Sequence, residues 1–210
     1  HPTDSDGRES LEAMVAGARA QGLQYIAITD HSQRLSAAHG LDTDRLLQQI
    51  ERIDALNARQ PGLTVLKGVE VDILEDGALD LPDKVLRRLD LVVGAVHDGF
   101  DLPRDRQTER LLRAMDHRCF SILAHPTSRL IDERPGCDID LPRVVRHARE
   151  RGCFLELNAN PARLDLDDLG CRMARDEGVL VSIASDAHAV HEFEHLAYGC
   201  GQARRGWLGP

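Results

Sequence analysis

The sequence predicts an α/β fold, a small irregular (β/α) barrel formed as one unit over residues 1–210. Three observations carry this. Short apolar runs alternate with amphipathic helical segments along the chain, the pattern of a parallel sheet covered by helices. The chain is long enough, at 42% hydrophobic content, to bury one barrel-sized core, and no low-complexity linker marks a second domain. Five of the ten histidines (His1, His31, His97, His125, His188) fall at the ends of apolar runs, where parallel barrels keep their chemistry.

Each element has its own warrant. Leu11, Met14, Val15 and Ala18 repeat at i, i+3, i+4 and i+7, which predicts a helix over 9–21 stopped by Gly22. Residues 25–29 read as a buried strand running into Asp30-His31. A helix over 44–58, closed by Pro61-Gly62, leads to one strand over 64–73. A helical turn or two over 81–89 precedes a strand over 91–96 that ends on His97. A helix over 105–115 leads to a strand at 120–124 ending on His125-Pro126, and a helix over 141–151 leads to a strand at 154–158. The last such helix, 166–177, precedes the apolar run that ends in Ser185-Asp186-Ala187-His188. The tail, with Tyr198 and 203–208, is expected to pack as a closing helix. A seventh strand is expected before His1. Six such strands with no obvious edge strand among them favour a closed, small or irregular barrel over an open doubly wound sheet, and no G-x-G-x-x-G or G-x-x-x-x-G-K loop supports nucleotide binding.

Composition removes several functions. A net charge of −9 and a pI of about 5.5 argue against gripping nucleic acid through a general electrostatic field. Aromatics make up 3%, too few for a base-stacking platform. The five cysteines form no Cys-x-x-Cys pair and are odd in number, so they read as reduced thiols rather than a disulfide framework or a thiolate zinc site. No apolar run approaches the roughly 18 residues of a membrane span and no signal pattern opens the chain, so a soluble, cytoplasmic protein is expected.

The strand ends collect His31, Glu70, His97, His125, Asp186 and His188, with His1 and Asp6 following the expected extra strand. Asp186 and His188, two residues apart, leave an extended segment on one side. Imidazoles and carboxylates without thiolates suit a catalytic site with open positions, and accept zinc, manganese or iron. Two such ions about 4 Å apart can clamp a phosphate and lower the pKa of a bound water, so phosphate-ester hydrolysis is the expected chemistry. His39, His117, His147, His191 and His195 are expected on the surface.

His1-x-Thr3-x-Ser5-Asp6-Gly7, Thr29-Asp30-His31-Ser32, Gly68-x-Glu70-x-Asp72-Ile73, Val96-His97, His125-Pro126-Thr127 and Ser185-Asp186-Ala187-His188 resemble, in order and spacing, the motifs of the PHP (polymerase and histidinol phosphatase) family. The resemblance implies a distorted (β/α)7 barrel, its first strand truncated here, with three divalent ions (manganese, zinc or iron). It implies that His1, Glu70 and Asp186 hold one ion, that Asp6, His31 and His188 hold a second, and that His97 and His125 hold a third with Glu70 bridging. Glu70, Asp186 and His125 form the implied catalytic core.

Within the family, Glu70-Val71-Asp72-Ile73-Leu74-x-x-Gly77, His125-Pro126-Thr127-x-Arg129-Leu130, Glu156-Leu157-Asn158, Arg163-Leu164-Asp165 and Ala203-Arg204-Arg205-Gly206-Trp207 look like the domain that follows the core of bacterial family X DNA polymerases. That resemblance implies a manganese-dependent 3′-5′ exonuclease used in DNA repair, with a DNA 3′ end as substrate and the DNA grip supplied by a polymerase core that this chain lacks. Arg129, Arg134 and Arg163 are then candidate phosphate contacts, because a guanidinium matches phosphate oxygens bidentately, or they are ion-paired with neighbouring acids. The family's first motif has a further histidine two residues before His1, Ser128 stands where glycine is usual, and Asp98-Gly99 follows His97 where serine is common. Two other readings stand beside the exonuclease: a phosphomonoesterase acting on a small phosphate ester such as histidinol phosphate, and a non-catalytic PHP module that supports a polymerase.

Overall fold

The computed structural model describes residues 1–59 and 62–209. Helices and parallel strands alternate except at β2 and β3, which follow each other directly: α1 (Leu11–Ala20), β1 (Tyr25–Ile28), α2 (Thr43–Arg59), β2 (Thr64–Lys67), β3 (Glu70–Asp72), α3 (Asp83–Leu86), β4 (Val93–Ala95), α4 (Arg104–Met115), β5 (Ile122–Leu123), α5 (Leu141–Arg151), β6 (Phe154–Asn158), α6 (Asp168–Glu177), β7 (Val181–Ala184) and α7 (Leu196–Arg205). Every pairing among these strands is parallel.

Local chemistry explains the helix boundaries. The hydroxyl of Ser10 accepts the Ala13 N–H at the start of α1, and the carboxylates of Asp140 and Asp167 do the same for Arg143 and Gly170 at α5 and α6. Each satisfies a backbone donor that has no partner inside its helix. Gly152 and Gly178 end α5 and α6 with φ of 69° and 74°, a left-handed conformation that a side chain would strain. The expected closure of α2 at Pro61 lies outside the described residues.

The expected strand over 64–73 is broken. Residues 64–67 pair with β1, whereas residues 70–72 pair with β4, so the segment changes partner at Gly68. A Cβ on Gly68 would stand 2.9 Å from the Ile28 carbonyl oxygen, which explains why the step needs glycine. The strands form a five-stranded sheet, β3-β4-β5-β6-β7, and a two-stranded sheet, β1-β2, joined by a single bridge between His31 and Glu70. Among the described residues the ring is therefore not closed. β1 and β7 each pair on one side only, and a cavity of about 550 Å³ lies between them, lined by Tyr25, Ala27, Ser182 and Ala184 and reaching up to Glu70 and Asp186.

The main core packs α4, α5 and α6 against β5 to β7 through Leu111, Val144, Val145, Leu155, Leu157 and Ala174. A second cluster seats α1 on β1 and β2. Helix α7 closes the unit through small residues, since a Cβ on Gly199 would lie 2.5 Å from Ile183 Cγ2. Trp207, expected to pack with that helix, lies beyond it and is exposed. No described helix is long and apolar enough to cross a membrane.

Candidate metal centre

One end of the sheet gathers the histidines and acids. His31 follows β1, Glu70 opens β3, Asp72 ends it, His97 follows β4, His125 follows β5, and Asp186 and His188 follow β7. The loop carrying His1 and Asp6 is fixed to the same end, because the His1 main-chain nitrogen donates to Ala187 O at 2.9 Å and Arg8 N donates to His188 O at 2.7 Å. All eight residues expected to be ligands meet there, and the five histidines expected on the surface stay outside the three donor clusters formed there.

Glu70 is the hub. His125 Nε2 and His97 Nε2 stand 3.1 and 3.2 Å from its Oε1, while His1 Nε2 lies 3.4 Å from its Oε2 and 3.2 Å from Asp186 Oδ1. On the other side, His188 Nε2 is 3.3 Å from Asp6 Oδ1 and His31 Nε2 is 3.8 Å from Asp6 Oδ2. The His1 ring stacks between those of His31 and His188, with centroids 4.6 and 4.2 Å away.

This arrangement fits divalent cations. Two donors of one ion, each about 2.1 Å from it, stand roughly 3–3.5 Å apart, close to the spacings found here. Nδ1 of His31, which faces Glu70 Oε2 at 3.8 Å, is buried without a hydrogen-bond partner among the described residues, an arrangement that needs an explanation in a packed interior. The donor atoms fall into three sets within 4.8 Å: His1, Glu70 and Asp186; His1, Asp6, His31 and His188; and His31, Glu70 and His97. The first matches the implied grouping. The second gains His1, which stacks between two of its members, and the third contains His31 where His125 was expected, although His125 still touches the Glu70 oxygen that His97 approaches.

Burial opposes the charge of His97, but the carboxylates of Asp72 and Glu70 outweigh it and hold the imidazole at about 9. His1 is likewise raised by Asp186 and Glu70 despite its burial. Burial dominates at His31, which is pushed down to about 4. Asp6, which burial alone would raise, is drawn down to about 2 by His188 and His31. Glu70 and Asp186 are held well below the usual carboxylate range by the same imidazoles, again against their burial.

The structure adds supporting residues that the sequence did not assign. The Asp72 carboxylate is hydrogen-bonded to His97 Nδ1, which aims Nε2 at Glu70. Asn158 donates from Nδ2 to Asp186 Oδ2 at 3.0 Å, and Glu156 accepts the His125 N–H at 2.6 Å. Burial and the charges of Asp186 and Glu70 raise Glu156 well above the usual carboxylate range. Such partners fix the orientation of first ligands, and a carboxylate paired with a strand-end histidine was the available signal for Asp72. His125 and Asp186 have φ of 24° and 54°, backbone strain of the kind that collects at functional sites. Ser128 has a φ of 55°, which accounts for the glycine usual there in the family.

The three candidate phosphate arginines differ. Arg129 gives its Nε–H to Arg163 O at 2.8 Å and a terminal N–H to Leu164 O. Arg134 donates to Ser128 O at 2.7 Å and lies 3.7 Å over the Phe100 ring. Both lace neighbouring loops together. Arg163 is nearest the acids, with Nε 4.0 Å from Asp186 Oδ2 and one long bond of 3.5 Å to Arg129 O.

A parallel α/β unit whose strand ends converge on an imidazole and carboxylate cluster defines a class of metal-dependent hydrolase folds. Residues 1–160 match the PHP domain, and the chain belongs to that family, as a phosphoesterase domain of PHP type. It is 44% identical over 207 residues to the DNA polymerase/3′-5′ exonuclease PolX of Bacillus subtilis (strain 168), covering 99% of this chain but 36% of that protein. It is 33% identical over 179 residues to the Thermoanaerobacter sp. (strain X514) protein named "Probable phosphatase", covering 80% of this chain and 68% of the relative. The fold resembles histidinol phosphate phosphatase from Lactococcus lactis subsp. lactis Il1403, crystallised with zinc, L-histidinol and phosphate, at a TM-score of 0.68 and 15% identity over 100% of this chain and 92% of that one.

Proposed function

We propose that residues 1–210 form a single metal-dependent phosphoesterase domain that removes nucleotides from DNA 3′ ends during repair. The observation that carries this reading is the 44% identity over 99% of the chain to the Bacillus subtilis polymerase and exonuclease. In this reading His1, Asp6, His31, Glu70, His97, His125, Asp186 and His188 hold three divalent ions (manganese, zinc or iron), and Glu70 is shared between them. Bound ions supply polarised phosphoryl oxygens and an acidified water.

The chain's own residues orient and exclude. Asp72 sets the tautomer of His97, Asn158 steadies Asp186, and Glu156 fixes the His125 backbone. Arg163 is the guanidinium best placed for a phosphate oxygen, whereas Arg129 and Arg134 spend their donors on loop carbonyls. With a net charge of −9, the domain binds DNA weakly by itself, and the grip belongs to a polymerase core in a longer protein.

A second reading, phosphomonoesterase action on a small phosphate ester, draws support from the fold likeness to the Lactococcus enzyme. A non-catalytic polymerase-supporting module fits poorly with so complete a donor set. Manganese-loaded protein incubated with a 5′-labelled single-stranded oligonucleotide and, in parallel, with histidinol phosphate separates the three. Shortening from the 3′ end, lost in Asp186→Ala and His125→Ala, supports the exonuclease. Release of phosphate from histidinol phosphate alone supports the second reading, and no hydrolysis of either supports the third.

A further inference from the structure

Helix α4 buries an arginine. Arg110 is 2% exposed, and a buried guanidinium is costly unless each donor is matched. Its Nε donates to the carbonyl oxygens of Ile73 and Leu74 at 3.1 and 3.0 Å, Nη1 donates to Asp98 O at 2.9 Å, and Nη2 donates to Asp98 Oδ1 at 2.7 Å and also to Ile73 O. Gln107, one turn earlier, donates to Gly99 O at 2.9 Å.

The positions of these partners give the cluster its meaning. Ile73 and Leu74 directly follow Asp72, and Asp98 directly follows His97. One planar group therefore grips the backbone just beyond both members of the Asp72 and His97 pair, in the loops that follow strands β3 and β4. The loops are shaped to reach it. At Gly99 (φ 61°) a Cβ would stand 3.2 Å from Arg110 Nη1, and at Gly77 (φ 86°) it would stand 2.5 Å from Arg113 Cβ on the same helix.

We infer that Arg110 is a positioning residue: it locks the loops after β3 and β4 so that Asp72 holds the His97 ring with Nε2 turned toward Glu70. The inference rests on the reading of His97 as a metal ligand. A fork of fixed donors is required, because a lysine ammonium in the same space is a single point that cannot span carbonyls on two loops and a carboxylate.

The test compares Arg110→Lys and Asp98→Ala with Leu111→Ala, a buried neighbour on the same helix that touches neither loop pair in this way. Manganese bound at equilibrium and backbone amide exchange over residues 97–102 in metal-free protein are measured for each. Arg110→Lys is expected to bind one equivalent less manganese than the unaltered chain, or to bind its weakest ion at least tenfold less tightly, with exchange over 97–102 at least tenfold faster. Asp98→Ala removes the half-exposed carboxylate of the clamp together with its pair to Arg34; judged against Arg34→Ala, which loses only that pair, it moves the same way and decides the matter if Arg110→Lys fails to fold. Leu111→Ala lowers the melting temperature and leaves manganese binding intact. Unchanged binding in both clamp variants, or equal loss in Leu111→Ala, overturns the assignment. If the unaltered chain binds no manganese, the metal-centre reading fails, while the exchange data still report whether Arg110 holds these loops.

Discussion

Asp72 and His97 form a carboxylate and imidazole pair, with Nδ1 on Asp72 and Nε2 3.2 Å from Glu70 Oε1. The pair ties the end of one strand to the end of the next and leaves one nitrogen free to face the cluster. Asp72→Asn keeps the shape and removes the charge. Metal affinity is expected to fall by about 10–100-fold, and the His97 imidazole to titrate below its value of about 9 in metal-free protein. Manganese titration followed by electron paramagnetic resonance checks the first, and imidazole NMR the second.

The same pair sets a pH dependence. His97 rises from an ordinary 6.5 to about 9 in the folded, metal-free protein, so the stability it contributes is fully present below pH 6.5 and is lost as pH climbs through 9. Asp6 runs the other way, from 3.8 to about 2: its contribution is present above 3.8 and lost as pH falls through 2. Denaturant unfolding of metal-free protein is therefore expected to show lower stability at pH 9 than at pH 6.5. Equal stability at the two values would remove His97 from this role.

Much of this was legible in the residues themselves. The apolar runs and the i, i+3, i+4 spacing placed the helices and strands, and histidines at strand ends placed the cluster, because a strand delivers its last side chain wherever its backbone ends. What escaped the sequence depends on long-range partners. The break at Gly68 follows from an approach to Ile28, 40 positions earlier in sequence terms, which no local pattern encodes. Arg110 reads as one more charge on an amphipathic helix until the Ile73 and Asp98 carbonyls are seen to meet it. Arg129 reads as a candidate phosphate ligand for the same reason: its carbonyl partners, Arg163 and Leu164, come from a loop that only folding brings near, and for Arg134 the distant partner is the Phe100 ring. Ser128 was legible only as a departure from glycine, and its left-handed backbone supplies the cause.

The arginines are expected to separate by experiment. Arg163→Ala should raise KM for a phosphodiester several-fold with little change in melting temperature, since its donors are largely uncommitted. Arg134→Ala should lower the melting temperature, because the Phe100 contact and the Ser128 carbonyl lose their partner, and leave KM near that of the unaltered chain. Steady-state kinetics beside thermal melts distinguish the two.

Leu155 lies on β6, fully buried in the main core between the helix layer and the neighbouring strands. Leu155→Ala leaves a cavity in a site that cannot collapse easily, at an expected cost of about 2–5 kcal/mol. Urea unfolding with an unchanged slope and a lower midpoint is the expected reading.

Metal removal and return tests the central claim most directly. Chelator-stripped protein is assayed on a 5′-labelled single-stranded oligonucleotide before and after manganese is restored. Hydrolysis that vanishes on stripping, returns with manganese and stays absent in Asp186→Ala agrees with catalysis at this cluster. Hydrolysis that continues at an unchanged rate in the stripped protein would contradict it.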